Sequence, residues 1–240
     1  MKSVKHAIRN FFRFFGLEIS RFNPRSHAVL HLQVNTVFDI GANTGQYAQD
    51  IRELGYTKKI VSFEPLSEAY SKLILNSASD RNWLIHDRCA IGESEDNLEI
   101  NISGNSFSSS LMPMLDAHSN AEPSSKYVGK EIVSVIPLNT TFKKYASVGQ
   151  TNFLKIDTQG FEYNVLKGIE EYFDFICGIE LELSTVPLYE GSKLYSFYFD
   201  YFKKNGFELW TLEPEFIDPT AGKMLQFNAT FINIKELPAL

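Results

Sequence analysis

The sequence predicts an α/β protein built on a mostly parallel, doubly wound sheet, and three observations predict it. Short apolar segments of strand length alternate with segments whose apolar residues recur at helical spacing. A glycine-bearing turn joins the first strand directly to a helix, in the stretch VFDIGANTGQYAQDI at residues 37–51. The last two strand-like segments, residues 207–217 and 224–234, are separated by a single loop, which is typical of an antiparallel pair. Together these features describe a Rossmann-like fold.

The composition is that of an ordinary globular protein. The chain has 240 residues, of which 44% are hydrophobic and 22% charged. This length suits one α/β domain, which we place at residues 31–240, behind an N-terminal helical arm at residues 1–30. The net charge of −6 argues against a general affinity for nucleic acid.

The cysteines and the apolar segments indicate where the protein works. Cys89 and Cys177 lack metal-binding spacing, so we expect buried free thiols and a reducing compartment. The sequence contains no run of 18 apolar residues and no cleavable signal pattern. A cytoplasmic protein is therefore expected.

The N-terminal arm has the pattern of an amphipathic basic helix over residues 2–15. Its apolar face carries Val4, Ile8, Phe11, Phe12 and Phe15. An adjacent column is basic and consists of Lys5, Arg9 and Arg13. Such a helix can lie on an anionic membrane surface, or it can pack on the domain or on a second subunit. The pattern leaves both open: peripheral membrane association through residues 1–20, or self-association.

The stretch at residues 37–51 has the form of a ligand-binding strand–turn–helix. The apolar run at residues 37–40 suits a buried parallel strand, and helical spacing begins near Thr44. The unpaired amides of the helix start point above the strand's carboxyl end, and Gly41 and Gly45 let backbone approach a ligand. A nucleotide or cofactor site is predicted, with close helix–strand packing as the alternative use of the glycines.

The glycine spacing narrows the class of cofactor. Dinucleotide sites use G-x-G-x-x-G, whose middle glycine lets pyrophosphate touch backbone, and Asn43 stands at that position here. A phosphate loop would need lysine where Gln46 follows Gly45. The next strand ends in Glu64, 19 residues beyond Gly45, where an acidic side chain can accept hydrogen bonds from ribose hydroxyls. A nucleoside without pyrophosphate is predicted, and S-adenosyl-L-methionine fits best.

A third strand is predicted at residues 83–89, and in a sheet of this kind its end lies beside the glycine loop. Arg88 and Cys89 are therefore candidates to face an adenine ring, although a surface position explains the charge of Arg88 equally well. We expect His86 to be packed rather than catalytic.

Residues 92–137 interrupt the alternation of strands and helices. Alternating polar and apolar residues at 97–102 and 131–136 predict a β-hairpin with a long insertion. The insertion contains a polar run with Ser108, Ser109 and Ser110. This run is either a solvated loop or a lid that covers the site and contacts substrate.

Two carboxylates are predicted to converge with the glycine loop. Asp157 follows one apolar strand, and Glu182 lies near the carboxyl end of the next. If these strands are neighbours, both side chains reach the crevice above the first strand, and the start of the last strand brings Gln226 and Asn228 near Glu182. Carboxylates in this arrangement serve chemistry or a structural ion pair. A divalent metal bridging Asp157, Glu162 and Glu182 would suit their hard oxygen ligands, but nothing in the spacing demands one, so no metal site is predicted.

With these residues placed, the sequence resembles the FkbM-type methyltransferases, a branch of the class I S-adenosylmethionine-dependent enzymes. The resemblance covers residues 36–234 and rests on motifs in family order: FDIGANTGQYA, SFEP, the AIG after the third strand, the serine cluster, LKIDTQGFEYNVLKG, ELSTVPLYEG, GFEL and MLQFNATF. It implies a cofactor site formed by Asp39, Gly41, Ala42, Asn43, Thr44, Gly45, Gln46 and Glu64. It implies a reaction side lined by Asp157, Glu162, Glu182, Tyr189 and Asn228, with the serine cluster contacting substrate and Asp157 also near the cofactor.

One position departs from the family pattern. The final strand of the family often carries an acidic residue where this chain has Asn228, so Asn228 is not expected to act as a base. The arm at residues 1–30 lies outside the resemblance.

The resemblance implies O-methylation of a hydroxyl on a sugar, a glycan or another small biosynthetic intermediate. Methyl transfer from a sulfonium depends mainly on positioning, and a carboxylate that takes the hydroxyl proton adds about 10²–10⁴-fold. Asp157 is the first candidate for this base and Glu182 the second. Two other functions stay open: a nicotinamide-dependent oxidoreductase, which the missing middle glycine disfavours, and a non-catalytic nucleoside-binding module that retains the fold.

Overall fold

The computed structural model describes residues 11, 12, 14, 15, 27–146, 149 and 151–236. The amphipathic helix predicted at residues 2–15 lies outside this part of the chain except for four phenylalanines, so its role stays a prediction. Among the described helices, none is long and apolar enough to cross a membrane.

Ten strands and seven complete α-helices are described. The strands are β1 (Thr36–Ile40), β2 (Lys59–Phe63), β3 (Trp83–Ile85), β4 (Ala90–Gly92), β5 (Asp96–Ser103), β6 (Tyr127–Pro137), β7 (Asn152–Ile156), β8 (Ile176–Ser184), β9 (Phe207–Ile217) and β10 (Met224–Asn233). The helices are α1 (Ala28–His31), α2 (Gln46–Glu53), α3 (Ser67–Ser77), α4 (Asp116–Ala121), α5 (Asn139–Tyr145), α6 (Glu162–Lys167) and α7 (Tyr195–Lys204). Short 3-10 helices lie at Pro123–Ser125, Glu170–Phe175 and Ile234–Glu236.

Seven strands form a central sheet in the order β3-β2-β1-β7-β8-β10-β9. The first five in that order are parallel to one another, and β10 runs antiparallel to both of its neighbours. The doubly wound α/β class and the C-terminal antiparallel pair predicted from the sequence are therefore confirmed. The adjacency of β7 and β8, on which the placement of the two carboxylates depended, is also confirmed.

The central sheet is buried on both faces, because successive side chains of a strand point to opposite sides. In β1, Val37 packs in a cluster with Ile51 of α2 on one face. Phe38 belongs to the larger cluster on the other face, together with Phe202 of α7. There Phe202 stacks on Phe231 of β10, with ring centroids 4.4 Å apart. Helices on both faces thus hold the strand ends at a fixed edge.

A second sheet has three strands in the order β4-β6-β5. The predicted hairpin of β5 and β6 is confirmed. The predicted third strand at residues 83–89 is too long, because β3 ends at Ile85; residues 90–92, which follow the predicted strand, form β4 and pair with β6. A Cβ atom on Gly168, after α6, would lie 2.0 Å from the Gly92 carbonyl oxygen, so the second sheet packs tightly against the end of that helix. The short apolar segments carry no local signal that assigns them to one sheet or the other.

The cysteines and His86 are packed, as predicted. Cys89 and Cys177 are buried free thiols. His86 is buried and lies against Phe63, with ring centroids 4.9 Å apart.

The carboxyl ends of β1, β7 and β8 meet at one edge of the central sheet. Gly41 and Asp157 follow the aligned ends of β1 and β7, and Glu182 lies beside them in β8. β10 runs in the opposite direction and begins at this edge, which brings Gln226 and Asn228 next to Glu182, as predicted. Side chains far apart in sequence therefore share one crevice.

Candidate active site

A cavity of about 410 Å³ opens at the carboxyl edge of the central sheet. On the side of β2 and the second sheet its lining is mostly apolar and includes Phe63, Leu66, Cys89, Ala90, Ile91, Ile100 and Leu111. On the side of β7 to β10 its lining is acidic and includes Asp157, Glu180, Glu182 and Glu215. The cavity can hold a ligand with one apolar part and one polar, positively charged part.

The glycine loop after β1 forms the floor between these two sides. Gly41 has a φ of +79°, and a Cβ atom there would lie 1.9 Å from the Asp157 carbonyl oxygen. The amides of Gly41 and Ala42 both donate to the Phe63 carbonyl at 3.0 Å. The Asn43 amide donates to Glu64 Oε2 at 2.8 Å. The loop is thus fixed to β2 on one side and to the loop after β7 on the other.

Thr44 and Gly45 serve the fold rather than the cavity lining. A Cβ atom on Gly45 would lie 2.5 Å from the Trp83 ring, so this glycine permits the close packing of α2 on β3. The Thr44 carbonyl accepts a hydrogen bond from Asn76 at 2.9 Å. Gln46, at the start of α2, does line the cavity.

Two buried carboxylates face the glycine loop. Glu64 accepts the amides of Asn43 and Leu66, both at 2.8 Å, and burial raises the pKa of its carboxyl to about 7. Asp39 accepts the Ser62 hydroxyl at 2.8 Å, and burial raises its pKa to about 6. Both residues line the cavity. Each carboxylate retains lone pairs for hydroxyl or amino groups of a ligand.

Asp157 and Glu182 are joined by one amide. Gln159 Nε2 donates to Asp157 Oδ1 at 2.8 Å and to Glu182 Oε2 at 2.7 Å. Gln226 Nε2 also donates to Glu182 Oε2, at 2.5 Å. Burial and the negative charge of Asp157 raise the pKa of Glu182 well above its ordinary value. The two carboxylates therefore form a single coupled acidic centre.

Lys155 carries the one basic group that lines this cavity among the described residues. Its side chain is 7% exposed, and its Nζ lies 3.3 Å from Asp157 Oδ2. Burial alone would lower the pKa of Lys155, but the carboxylates of Asp157 and Glu180 outweigh burial and raise it. Burial raises the pKa of Glu180 to about 7. The side chain of Lys155 is thus held as an ammonium group inside the protein.

The serine run forms part of the cavity wall. Ser106 and Ser109 line the cavity, and the Ser106 carbonyl accepts Asn43 Nδ2 at 3.4 Å. Ser110 Oγ donates to the Gln159 carbonyl at 2.6 Å. Phe107 lines the cavity with 61% of its surface exposed. The loop therefore connects the glycine loop to the acidic centre.

Tyr189 and Glu162 lie behind the wall. The Tyr189 hydroxyl donates to Gln159 Oε1 at 2.7 Å and to the carbonyl of buried Ser108 at 3.3 Å. Glu162 is buried and accepts the amides of Thr158 at 3.2 Å and Gly160 at 3.0 Å. Both side chains shape the loop that presents the acidic centre.

The predicted site residues divide into two groups. Those that line the cavity are Asp39, Gly41, Ala42, Asn43, Gln46, Glu64, Cys89, Ser109, Asp157, Glu182 and Asn228. Those that lie outside its lining are Thr44, Gly45, Arg88, Ser108, Ser110, Glu162 and Tyr189. Arg88 is drawn away because it pairs with Glu131 of β6 and donates to the Pro65 carbonyl at 2.8 Å.

Sequence reasoning missed several lining residues. They are Tyr47, Phe107, Lys155, Gln159, Glu180 and Glu215. Period-2 alternation places Lys155 on the same face as Asp157, which is the one local signal that could have found it. Gln159 has a φ of +54°, and this unusual backbone conformation turns its amide back towards Asp157.

A comparison with protein families decides the assignment. The family model described as the methyltransferase FkbM domain matches residues 39–209. This chain belongs to the FkbM methyltransferase family. The match begins at Asp39 and includes the glycine loop, Glu64, the serine run, Asp157 and Glu182. No curated protein matches the sequence significantly.

Several solved structures resemble this FkbM-family chain at low sequence identity. The methyltransferase FkbM from Methylobacillus flagellatus KT is 14% identical with a TM-score of 0.47, covering 89% of this chain and 45% of its own. An rRNA methylase from Streptococcus thermophilus is 12% identical with a TM-score of 0.46, covering 91% and 99%. Aeropyrum pernix fibrillarin, solved with natively bound S-adenosyl-L-methionine, is 10% identical with a TM-score of 0.44, covering 82% and 66%. This chain thus spans less than half of the Methylobacillus protein.

Two glycine substitutions test the contact below the cavity. Gly41→Ala and Gly55→Ala both place a side chain at positive φ, and each should cost about 1–2 kcal/mol for backbone strain. Gly55 has no atom within 4 Å of an added Cβ, so it is the matched control. Gly41→Ala should cost a further ~1–3 kcal/mol, because the Asp157 carbonyl must move. The measurement is the free energy of unfolding in urea. Equal losses in Gly41→Ala and Gly55→Ala would show that the loops after β1 and β7 can move apart without cost.

Glu64 should give the unfolding free energy a dependence on pH. Its carboxyl has a pKa of about 7 when folded against an ordinary 4.5, so the folded protein binds more protons between these values. Stability is therefore lost as the pH rises from 4.5 to 7. Glu64→Gln should remove up to about 3 kcal/mol of this loss.

The measurement is urea unfolding of the parent and of Glu64→Gln at several pH values. Exposed Glu95 lies outside the cavity lining, so Glu95→Gln serves as the control and should follow the parent curve. Parallel curves for Glu64→Gln and the parent would contradict the prediction.

Proposed function

We propose that this protein transfers a methyl group from S-adenosyl-L-methionine to a hydroxyl of a sugar, a glycan or another small biosynthetic intermediate. The observation that carries the proposal is the coupled pair Asp157 and Glu182, which shares one cavity with the glycine loop and Glu64. Membership of the FkbM family supports the methyl transfer itself.

The chain's own residues fit this cofactor. Backbone at Gly41 has no room for a Cβ atom beside the cavity, and Glu64 presents a buried carboxylate where ribose hydroxyls are expected. Apolar side chains near Cys89 suit an adenine ring. Asp39 would pair with an amino group. These residues would hold the cofactor, which supplies an electrophilic methyl group on a sulfonium sulfur.

The charge of the cavity separates this cofactor from a dinucleotide. Seven carboxylates of described residues line the cavity: Asp39, Asp50, Glu64, Asp157, Glu180, Glu182 and Glu215. Lys155 is already paired with Asp157. A pyrophosphate would therefore find no free cation among the described lining residues, whereas a sulfonium and an ammonium group would favour the ionised forms of these acidic side chains. The electrostatics therefore support S-adenosylmethionine over a nicotinamide cofactor.

Asp157 is the better placed of the two carboxylates to take a proton from the acceptor hydroxyl. Its side chain is 39% exposed, so a ligand can reach it. Lys155 and Gln159 each hold one of its oxygens. Glu182 is buried, and two amides occupy its Oε2. Glu182 therefore supports Asp157, and the acceptor would be positioned by the exposed oxygen and amide groups around them.

Calorimetry tests the cofactor assignment without an acceptor. S-adenosylmethionine should bind the parent protein and NAD should not. Glu64→Ala should weaken binding by about 1–3 kcal/mol, because a buried charged acceptor is lost. Glu95→Ala is the control for removal of an exposed carboxylate and should bind like the parent. Saturable heat from NAD alone would favour an oxidoreductase, and heat from neither would favour a binding module for a different ligand.

Asp157→Asn should separate cofactor binding from turnover. The substitution keeps the size of the side chain but removes its basicity, so affinity for S-adenosylmethionine should hold within a few-fold while methylation falls by about 10²-fold or more. The assay uses labelled cofactor and fractionated cell extract to find the methylated product. Asp200→Asn, on the exposed face of α7, is the matched control. Methylation at the parent rate by Asp157→Asn would make the carboxylate structural.

A further inference from the structure

The Lys155 ammonium group occupies the centre of the acidic side of the cavity. It rises from β7 two residues before Asp157, and its Nζ lies 3.3 Å from that carboxylate. Lys155 interacts electrostatically with carboxylates from two further strands, Asp39 of β1 and Glu180 and Glu182 of β8. Its Nζ also lies 5.7 Å from the centre of the Tyr47 ring, a distance suited to a cation–π contact.

A buried lysine side chain destabilises the folded protein unless its ammonium group has charged partners. An ammonium group without partners would lose its proton in an interior site. Here the surrounding carboxylates keep it charged, and it is the one basic side chain that lines the cavity in the described part of the chain. The interaction is mutual: without the ammonium group, negative charges on three neighbouring strands would repel one another at close range.

The ion pair alone explains only part of this arrangement. An ion pair that served folding would be satisfied by one carboxylate, and Asp157 would then have no reason to stay 39% exposed in a cavity. Instead, Lys155 holds Asp157 Oδ2 while Gln159 holds Oδ1. Both carboxylate oxygens are thus held by neighbouring side chains, and the exposed part of the carboxylate faces the cavity.

We propose that Lys155 is a positioning residue for methyl transfer, an internal cation that holds Asp157 in the orientation from which it can accept the acceptor's proton. This inference rests on the proposed function. The groups that face the ammonium come from four parts of the chain: Asp39 of β1, Tyr47 of α2, Asp157 directly after β7, and Glu180 and Glu182 of β8. Glu213 and Glu215 of β9 add negative charge next to Glu180 and Glu182.

The first test measures the carboxylates directly and needs no acceptor. In protein labelled with ¹³C at the side-chain carboxyls of Asp and Glu, the NMR resonance of the Asp157 carboxyl should move in Lys155→Met, because Oδ2 loses its ammonium partner. Lys155→Arg, which keeps the charge, should leave that resonance near its position in the parent. Lys72→Met changes an exposed lysine on α3 and is the matched control. An unchanged Asp157 carboxyl resonance in Lys155→Met would overturn the proposal.

The second test uses turnover and chemical rescue. Lys155→Ala should lower the methylation rate by about 10²-fold or more and move the acidic limb of the pH–rate profile upwards. Ethylammonium chloride should restore at least tenfold of the lost rate, whereas sodium chloride at equal concentration should not. A lower rate with an unmoved pH profile and no rescue would identify a structural role only.

Failure of this inference is distinguishable from failure of the proposed function. If the parent protein does not bind S-adenosylmethionine in calorimetry, the proposed function is overturned, regardless of the results for the Lys155 variants. Parent protein that binds and methylates, with Lys155→Met retaining the parent rate and pH profile, overturns the inference alone. If Lys155→Ala does not fold, Lys155→Met, with a side chain of similar length, carries the measurements of rate and pH profile.

Discussion

The contact of Gly41 with the Asp157 carbonyl is the constraint on which the site depends. β1 and β7 are adjacent and parallel, so the loops that leave them must pass one another at the carboxyl edge. They pass without a gap, since an added Cβ on Gly41 would lie 1.9 Å from that oxygen. The glycine loop and the acidic centre are thereby locked in relative position. A ligand held by one loop is presented to the other with little freedom, which is the form of catalysis that methyl transfer most requires.

The same edge concentrates negative charge, and the protein compensates for it only in part. Burial raises the pKa of Asp39, Glu64 and Glu180 into the range from about 6 to about 7. Keeping these carboxyls away from water lowers the stability of the folded protein at neutral pH. Lys155 offsets part of the repulsion, and backbone amides offset part of the desolvation of Glu64. A positively charged ligand would offset more of the repulsion between these carboxylates. The acidic edge therefore favours the binding of such a ligand.

The sequence was sufficient for elements with a strong local signal and for contacts that strand order alone determines. The strand–turn–helix at the glycine loop, the adjacency of β7 and β8, and the approach of Gln226 to Glu182 all followed from periodicity and chain direction. Contacts between distant side chains did not. Arg88 was expected near an adenine ring, but it pairs with Glu131, 43 residues away on a strand of the second sheet. No local pattern in either segment encodes that pairing.

The contacts within the acidic centre could not be predicted from the sequence either. Asp157 was recognisable because it follows a strand, yet the group that joins it to Glu182 is Gln159, whose role depends on a left-handed backbone conformation. A glutamine in a polar turn carries no such signal in the sequence. Lys155 was hidden for a similar reason, since one lysine in a strand is usually directed to solvent. Only the assembled sheet shows that this strand has no solvent face.

The family match covers only some of the residues around the open part of the cavity. The match ends at residue 209, so it includes the glycine loop and Asp157 but excludes Glu215, Gln226 and Asn228. These three lie on β9 and β10, whose pairing is interrupted by irregularities between Met224 and Phe227. Such bulges redirect side chains next to functional sites. Asn228 Nδ2 donates to Glu215 Oε2 at 3.1 Å, across the two strands. We therefore expect the cofactor side to follow the family and the antiparallel pair to select the acceptor.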